Sequence, residues 1–340
     1  MDSDPPFHET YKNLFVNSTN DEEPRTKISQ NNHRLVVVEE RELPLIDLSR
    51  LGVDELESEE CKKEIARAAH EWGFFQVINH GISRDILEKM RDEQVKIFKQ
   101  PFHNKCREDK FLNFSPGSYR WGTPTATSLR QLSWSEAFHI PMNDISSSCA
   151  FINSSLRSSM EQFATKLASL AQTLAEILAE ELGHKSNFFQ ENCLPSTCYL
   201  RLNRYPPCPF PLEIFGLMPH TDSDFLTILH QDQVGGLQLV KDGKWIAVKP
   251  NPEALIINIG DLFQARSNDY YKSVQHCVVT NPTNERFTAA YFLCPSSETV
   301  IESCSKPSVY RMFSFREYRQ QVQDDVKKYG YKVGLPRFLV

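Results

Sequence analysis

The most regular hydrophobic pattern in the chain lies between residues 156 and 182, where Leu156, Met160, Phe163, Leu167, Leu170, Leu174, Ile177, Leu178 and Leu182 recur every three or four positions. That spacing predicts one long amphipathic helix with its apolar stripe against a neighbouring layer. Gly183 follows where a left-handed C-terminal cap belongs. Shorter helical periods run from about Ser58 through Ile65, Ala68 and Ala69 to Trp72, and from Ser83, a candidate N-cap, through Ile86, Leu87 and Met90. A last one, from about Ser314 to Tyr329, carries Phe315, Tyr318, Val322 and Val326. Leu43–Leu48 and Phe74–Asn79 read as strands in the amino-terminal half. After Pro195 the rhythm shortens to apolar runs at 226–229, 236–240, 245–248, 255–259 and 288–293. Many short strands at close spacing predict a sandwich or barrel, and Asp242-Gly243 between two of them is a hairpin signal because both residues tolerate positive φ.

In the first forty residues Asn17, Ser18, Asn20, Asn31 and Asn32 break any period, so a loose arm without chemistry is expected there. The expected division is that arm at 1–40, a helical and strand region at 41–190, a barrel core at 191–300, and a helix with a tail at 301–340.

Composition narrows the class. The 340 residues are 40% hydrophobic, enough for one large core. The 38 basic and 44 acidic side chains are dispersed and sum to a formal charge of −6, so neither a nucleic acid nor a membrane surface is called for as a partner. The first thirty residues lack a basic n-region and an apolar h-region, and no apolar run approaches the roughly eighteen residues of a membrane span. The expectation is a cytoplasmic protein, with the nucleus also open. The nine cysteines are odd in number and form no C-x-x-C pair, which favours reduced thiols that act as small buried hydrophobes. Nothing in the pattern sets an oligomeric state.

The candidate chemistry begins at His220-Thr221-Asp222. On an extended segment, residues two apart point to one face, so both ligand-type side chains can reach one ion. His276 comes after four further predicted strands, where a barrel can bring it back beside the pair. Two imidazoles and one carboxylate on one face of an ion leave three positions open, which suits non-haem iron(II). Tetrahedral zinc would leave one, which keeps a zinc hydrolase as a rival. An H-x-D triplet by itself is weak evidence, because chance supplies many. Arg286, ten residues past His276, strengthens it: Arg286 and Thr288 share one face of a strand, and a guanidinium fork beside a hydroxyl can bind a carboxylate in bidentate fashion.

In order and spacing, Asn203-Arg204-Tyr205-Pro206-Pro207-Cys208-Pro209, His220-Thr221-Asp222, Gly235-Gly236-Leu237-Gln238, His276 and Arg286-Phe287-Thr288 resemble the plant 2-oxoglutarate-dependent dioxygenases. The stretch from Glu71 to Gly81 resembles the same family's helix-to-strand junction. Ser118 to Thr127 and Ser133 to His139 resemble, within that family, the gibberellin 2-beta-dioxygenases of the branch acting on twenty-carbon gibberellins. The resemblance implies a mixed α and β fold, a double-stranded β-helix (jelly-roll) core with flanking helices.

It further implies that His220, Asp222 and His276 are the catalytic iron(II) ligands and that Arg286, Thr288 and Tyr205 bind 2-oxoglutarate. The implied reaction hydroxylates a gibberellin at carbon 2 and inactivates the hormone. Dioxygen is consumed, 2-oxoglutarate is converted to succinate and carbon dioxide, and ascorbate serves as reductant. Tyr119, Trp121, Trp134, Phe138 and Arg120 are the expected substrate contacts, since a rigid apolar acid needs aromatic walls and a basic group.

Some residues depart from the family pattern. Thr288 stands where serine is usual, Arg266-Ser267-Asn268-Asp269 where Trp-Ser-Asn-Gly is common, and Cys277 where arginine follows the distal histidine. These substitutions raise the expectation of a weakened ligand support. Alternatives therefore remain: the same chemistry on a flavonoid or another hormone, or a jelly-roll binding protein that has lost turnover.

Overall fold

The computed structural model describes residues 3–20, 38–107, 115, 117–146, 154–184, 187–210 and 214–340. Its amino-terminal part holds α1 (Phe7–Thr10), α2 (Lys12–Asn20), β1 (Glu40–Arg41), β2 (Leu45–Asp47), α3 (Glu55–Trp72), β3 (Phe74–Ile78), α4 (Arg84–Phe98), α5 (Phe102–Lys105), β4 (Tyr119–Trp121) and β5 (Glu136–Pro141). Then come α6 (Met142–Ser146), α7 (Ser154–Glu180) and α8 (Phe188–Asn192). The strands β6 (Tyr199–Tyr205), β7 (Phe215–His220), β8 (Leu226–Gln231), β9 (Leu237–Lys241), β10 (Lys244–Val248) and β11 (Leu255–Ile259) lead to α9 (Asp261–Arg266). The chain ends with β12 (His276–Val279), β13 (Arg286–Leu293), β14 (Val300–Ile301), β15 (Phe313–Ser314) and α10 (Phe315–Tyr329).

The predicted periods become elements for local reasons. Ser83 accepts from the Ile86 N–H, and Ser314 accepts from Glu317, capping α4 and α10. Gly73 ends α3 with φ of 64°, and a Cβ there would lie 2.4 Å from the Lys272 carbonyl oxygen, so glycine is required twice over. Asp242 and Gly243 take φ of 52° and 73° and turn β9 into β10, the left-handed conformation that a two-residue hairpin turn needs.

Two sheets form the jelly roll. The larger has the order β2-β3-β11-β8-β13-β6-β5-β4, the smaller β1-β10-β9-β12-β7. The apolar stripe of α7 packs on β13 and β8, with α3 and α4 beside it, so the helices cover the outer face of the large sheet. The inner face is left for the site. Among the described residues, no helix is long and apolar enough to cross a membrane.

The large sheet draws strands from both sides of residue 190, because β2, β3, β4 and β5 from the region 41–190 extend it on both sides of the core strands. One expectation is corrected. The amino-terminal arm is not loose over residues 3–20. Phe7 is buried, stacked on Trp134 at 4.3 Å between centroids and edge-on to Trp121. The Tyr11 hydroxyl accepts from the Thr123 N–H at 2.9 Å, and Asp4 pairs with the buried Arg204 at 2.8 Å. A polar composition concealed this anchor because two aromatic residues four apart suffice for it. The rest of the expected arm, 21–37, and Cys149 lie outside the described residues.

Candidate metal centre

Strand register assembles the site. In the antiparallel pair of β7 and β12, His220 stands opposite His276, and their rings are 4.3 Å apart between centroids. Asp222 lies two residues beyond the end of β7, and its carbonyl accepts from the Asp261 N–H at 3.0 Å, which fixes the turn. Asp222 Oδ1 lies 3.6 Å from His220 Nε2 and 3.8 Å from His276 Nε2. One ligand atom from each of the three residues falls within 4.8 Å of the others, a grouping able to hold one ion.

The supporting hydrogen bonds aim these atoms. His220 Nδ1 donates to the Met218 carbonyl at 2.7 Å and His276 Nδ1 to the Val274 carbonyl at 3.0 Å, so each Nε2 keeps its lone pair for the centre. Asp222 Oδ2 accepts from Thr227 Oγ1 at 2.7 Å and from Asn258 Nδ2 at 2.9 Å, leaving Oδ1 facing the imidazoles. Burial opposes ionisation of Asp222, but His276, His220 and Asn258 outweigh it and hold the carboxyl below its ordinary range. Burial, then His220, pushes His276 down to about 4. At neutral pH Asp222 is therefore a carboxylate and His276 a neutral imidazole, the protonation states a cation requires.

The triad opens onto a cavity of about 230 Å³ between the sheets. Alternation brings Arg286, Thr288, Ala290 and Phe292 of β13 and Tyr199, Arg201, Asn203 and Tyr205 of β6 into its wall. Arg286 is 2% exposed and lies 5.1 Å over the Tyr205 ring. Its Nη2 donates to Gln231 Oε1 at 2.9 Å, while Nε and Nη1 are buried with no hydrogen-bond partner. Burial lowers its pKa. A buried guanidinium with two unused donors, facing a cavity beside a three-ligand centre, calls for an anion of matching fork geometry. The Thr288 hydroxyl, 3.1 Å from Asn203 Nδ2, lies on the same wall. The donor set and this cation fit iron(II) and a chelating keto acid together.

The structure does not bring the expected substrate contacts here, since none of Tyr119, Trp121, Trp134, Phe138 and Arg120 lines the cavity. Tyr119 and Phe138 pair across β4 and β5 on the outer face, where Phe138 packs on Phe98 and the Tyr119 hydroxyl donates to Glu136 at 2.5 Å. Trp121 and Trp134 enclose Phe7 of the arm, and Trp134 Nε1 donates to the Pro207 carbonyl. Arg120 is exposed, with Nε donating to the Gly117 carbonyl. The aromatic cluster was legible, but not which face of the sheet it covers.

The departures from the family pattern also lie apart from the ligands. Arg266 stacks on Phe188 at 3.6 Å, and Asp269 accepts from Gln264 and from the Tyr310 hydroxyl. Cys277 is buried on the strand face opposite His276. None of them supplies a hydrogen bond to His276, whose partner is the Val274 carbonyl. Residues the sequence reading missed include Asn203, Thr227, Gln231 and Asn258. Of these only Asn203 left a signal, at two-residue spacing between Arg201 and Tyr205.

A jelly roll with two imidazoles, a carboxylate and a buried arginine defines the class of non-haem oxygenases that use a keto acid. Residues 196–295 match the 2OG-Fe(II) oxygenase superfamily, and residues 43–155 match the family described as non-haem dioxygenase in morphine synthesis N-terminal. Gibberellin 2-beta-dioxygenase 8 of Arabidopsis thaliana is 64% identical over 339 residues, covering 99% of this chain and 98% of that protein. Gibberellin 2-beta-dioxygenase 6 of Oryza sativa subsp. japonica is 52% identical, over 88% of this chain and 85% of that one.

Among solved structures, JOX2 in complex with 2OG, Fe and JA superposes with a TM-score of 0.68 at 30% identity, covering 89% of this chain and 91% of that one. The rice dioxygenase for auxin oxidation gives 0.73 at 26% identity, covering 88% and 100%. The chain belongs to the 2OG-Fe(II) oxygenase superfamily and, within it, to the gibberellin 2-beta-dioxygenase family. It is an Fe(II)- and 2-oxoglutarate-dependent dioxygenase.

Proposed function

We propose that this enzyme hydroxylates a gibberellin at carbon 2, in the branch acting on twenty-carbon substrates, and so inactivates the hormone. The observation that carries the reading is the 64% identity to an Arabidopsis thaliana gibberellin 2-beta-dioxygenase along essentially the whole chain. In this reading His220, Asp222 and His276 hold the iron, and Arg286, Thr288 and Tyr205 hold the distal carboxylate of 2-oxoglutarate. When bound, iron with 2-oxoglutarate and dioxygen supplies the oxidising power, and the co-substrate leaves as succinate and carbon dioxide. The protein orients and shields. Arg286 fixes the far end of the keto acid, Thr227 and Asn258 keep one carboxylate oxygen turned to the centre, and the apolar wall of Leu217, Leu229 and Leu237 excludes water. The cytoplasm, and the nucleus with it, is the compartment we assign.

The test uses purified protein with iron(II), ascorbate and labelled 2-oxoglutarate, with and without a twenty-carbon gibberellin. Labelled succinate should rise with the gibberellin, together with a product heavier by one oxygen. Stimulation by a flavonoid and not by any gibberellin would reassign the substrate.

A further inference from the structure

The cavity beside the triad is smaller than the roughly 300–1,000 Å³ common for sites that enclose a drug-sized ligand, and 2-oxoglutarate must share its 230 Å³. A tetracyclic acid needs further room. A second chamber of about 390 Å³ adjoins the first, with Tyr199 and Ser223 common to both walls. His139 and Pro141 of β5, Cys294 and Pro295 beyond β13, and Phe315 and Arg319 of α10 enclose it.

Apart from the triad carboxylate Asp222, the charged side chains lining this pair of cavities are arginines. Arg319 lines the second chamber and is solvent-exposed, so its guanidinium sits at the chamber's outer side, 5.7 Å over the Phe315 ring. Arg201 lines the first, its Nε donating to Asn203 Oδ1 at 2.9 Å. Arg120 falls on the same sheet face, because it pairs with Ala137 and Ala137 with Asn203, a cavity residue. His139, paired with Arg201 and with its ring centroid 4.0 Å from that of Tyr199 at a tilt of 34°, stands among the three. Burial first, then Arg201, Arg120 and Arg319, pushes its pKa down to about 4, so it contributes no charge at neutral pH. Among the described residues no carboxylate forms an ion pair with any of these arginines, whereas Arg204, in the same strand as Arg201, has three. An unneutralised basic rim beside a chamber walled by prolines, aromatic rings and hydroxyls is an arrangement that an apolar acid would satisfy.

We infer that the second chamber holds the ring system of the organic substrate and that Arg319 and Arg201 bind a carboxylate on it, with Arg120 adding an attractive field. The substrate class is an apolar carboxylic acid, not a neutral phenol. The inference rests on the reading above for the ring system, and on the arginines for the charge.

The experiment is calorimetric binding, without dioxygen, to the protein loaded with iron(II) and 2-oxoglutarate. The ligands are a twenty-carbon gibberellin with free carboxylates and its methyl ester, and the proteins are wild type, Arg319→Gln, Arg319→Lys and Arg201→Gln. Loss of a charge-assisted contact is worth about 1.5–3 kcal/mol, which is roughly 10- to 100-fold in affinity. Arg319→Gln should weaken the acid by that factor and leave the ester and 2-oxoglutarate unchanged, with Arg319→Lys retaining part of the preference. Equal binding of the acid by wild type and Arg319→Gln would overturn the inference, as would parallel loss of acid, ester and 2-oxoglutarate.

If wild type binds no gibberellin, the substrate reading fails by itself. The chamber is then tested with apolar acids of other skeletons, their esters and neutral flavonoids. An acid preference that disappears in Arg319→Gln supports the inference, and binding of neutral compounds only, or of none, overturns it.

Discussion

Arg286 shows what a buried cation costs and what it is suited to capture. Its buried guanidinium has two donors without partners, a state that disfavours the ligand-free fold and favours capture of a carboxylate. Arg286→Met should therefore weaken 2-oxoglutarate binding by at least about 100-fold while raising the melting temperature of the ligand-free protein. Calorimetry and thermal unfolding check the two halves, and a melting temperature that falls would contradict the argument. Asp222→Asn should keep the bonds to Thr227 and Asn258 within reach of repair but remove the charge on Oδ1. Iron retained after anaerobic loading and desalting should drop to background, with the circular dichroism unchanged. At this scale the sequence was informative about residue type. That Arg286 and Thr288 share one face was legible from spacing because two-residue alternation is a property of any strand, whereas Asp222, beyond the end of β7, is brought beside His220 by the turn that follows. The same alternation could not say which face of β4 and β5 looks inward, and Tyr119 and Phe138, expected as substrate contacts, lie outside the cavity wall.

Among elements, the segment after α10 is tied to the turn that carries Asp222. Lys332 Nζ donates to the Thr221 carbonyl at 2.7 Å and to Ser223 Oγ at 2.9 Å, and it pairs with Asp261, which is 3% exposed and also accepts from Tyr318. Removing one partner of a buried pair strands the other, at about 3–5 kcal/mol. Lys332→Met should lower stability by that order in denaturant titrations and speed iron loss to a chelator, and adding Asp261→Asn should restore most of the stability. No periodicity pointed to this link, because Lys332 lies in a non-helical tail 111 residues from Thr221. The arm behaves similarly. Phe7→Ala should cost about 3–5 kcal/mol, measurable in the same titrations, although residues 1–40 read as polar and aperiodic.

For the whole molecule, burial lowers the pKa of four imidazoles among the described residues, His80 being one. His139, His230 and His276 each have a pKa near 4 against an ordinary 6.5. The unfolded chain then binds more protons than the native one between those values, so stability rises with pH across that window and is lost as pH falls from about 6.5 to 4. The urea midpoint of metal-free protein should decline steadily over this range, and His230→Gln should flatten the slope. By itself the sequence determined the kinds of elements, the long helix over 156–182, the turn at Asp242-Gly243 and the alternation that sets Arg286 beside Thr288, because each depends on neighbours a few residues apart. Only the tertiary structure decided that β12 lies beside β7 so that His276 meets His220, that Trp121 and Trp134 pack under the arm, and that a second chamber adjoins the first. Pairings between strands far apart along the chain are fixed by the packing of both sheets at once, and no local stretch of residues encodes that sum.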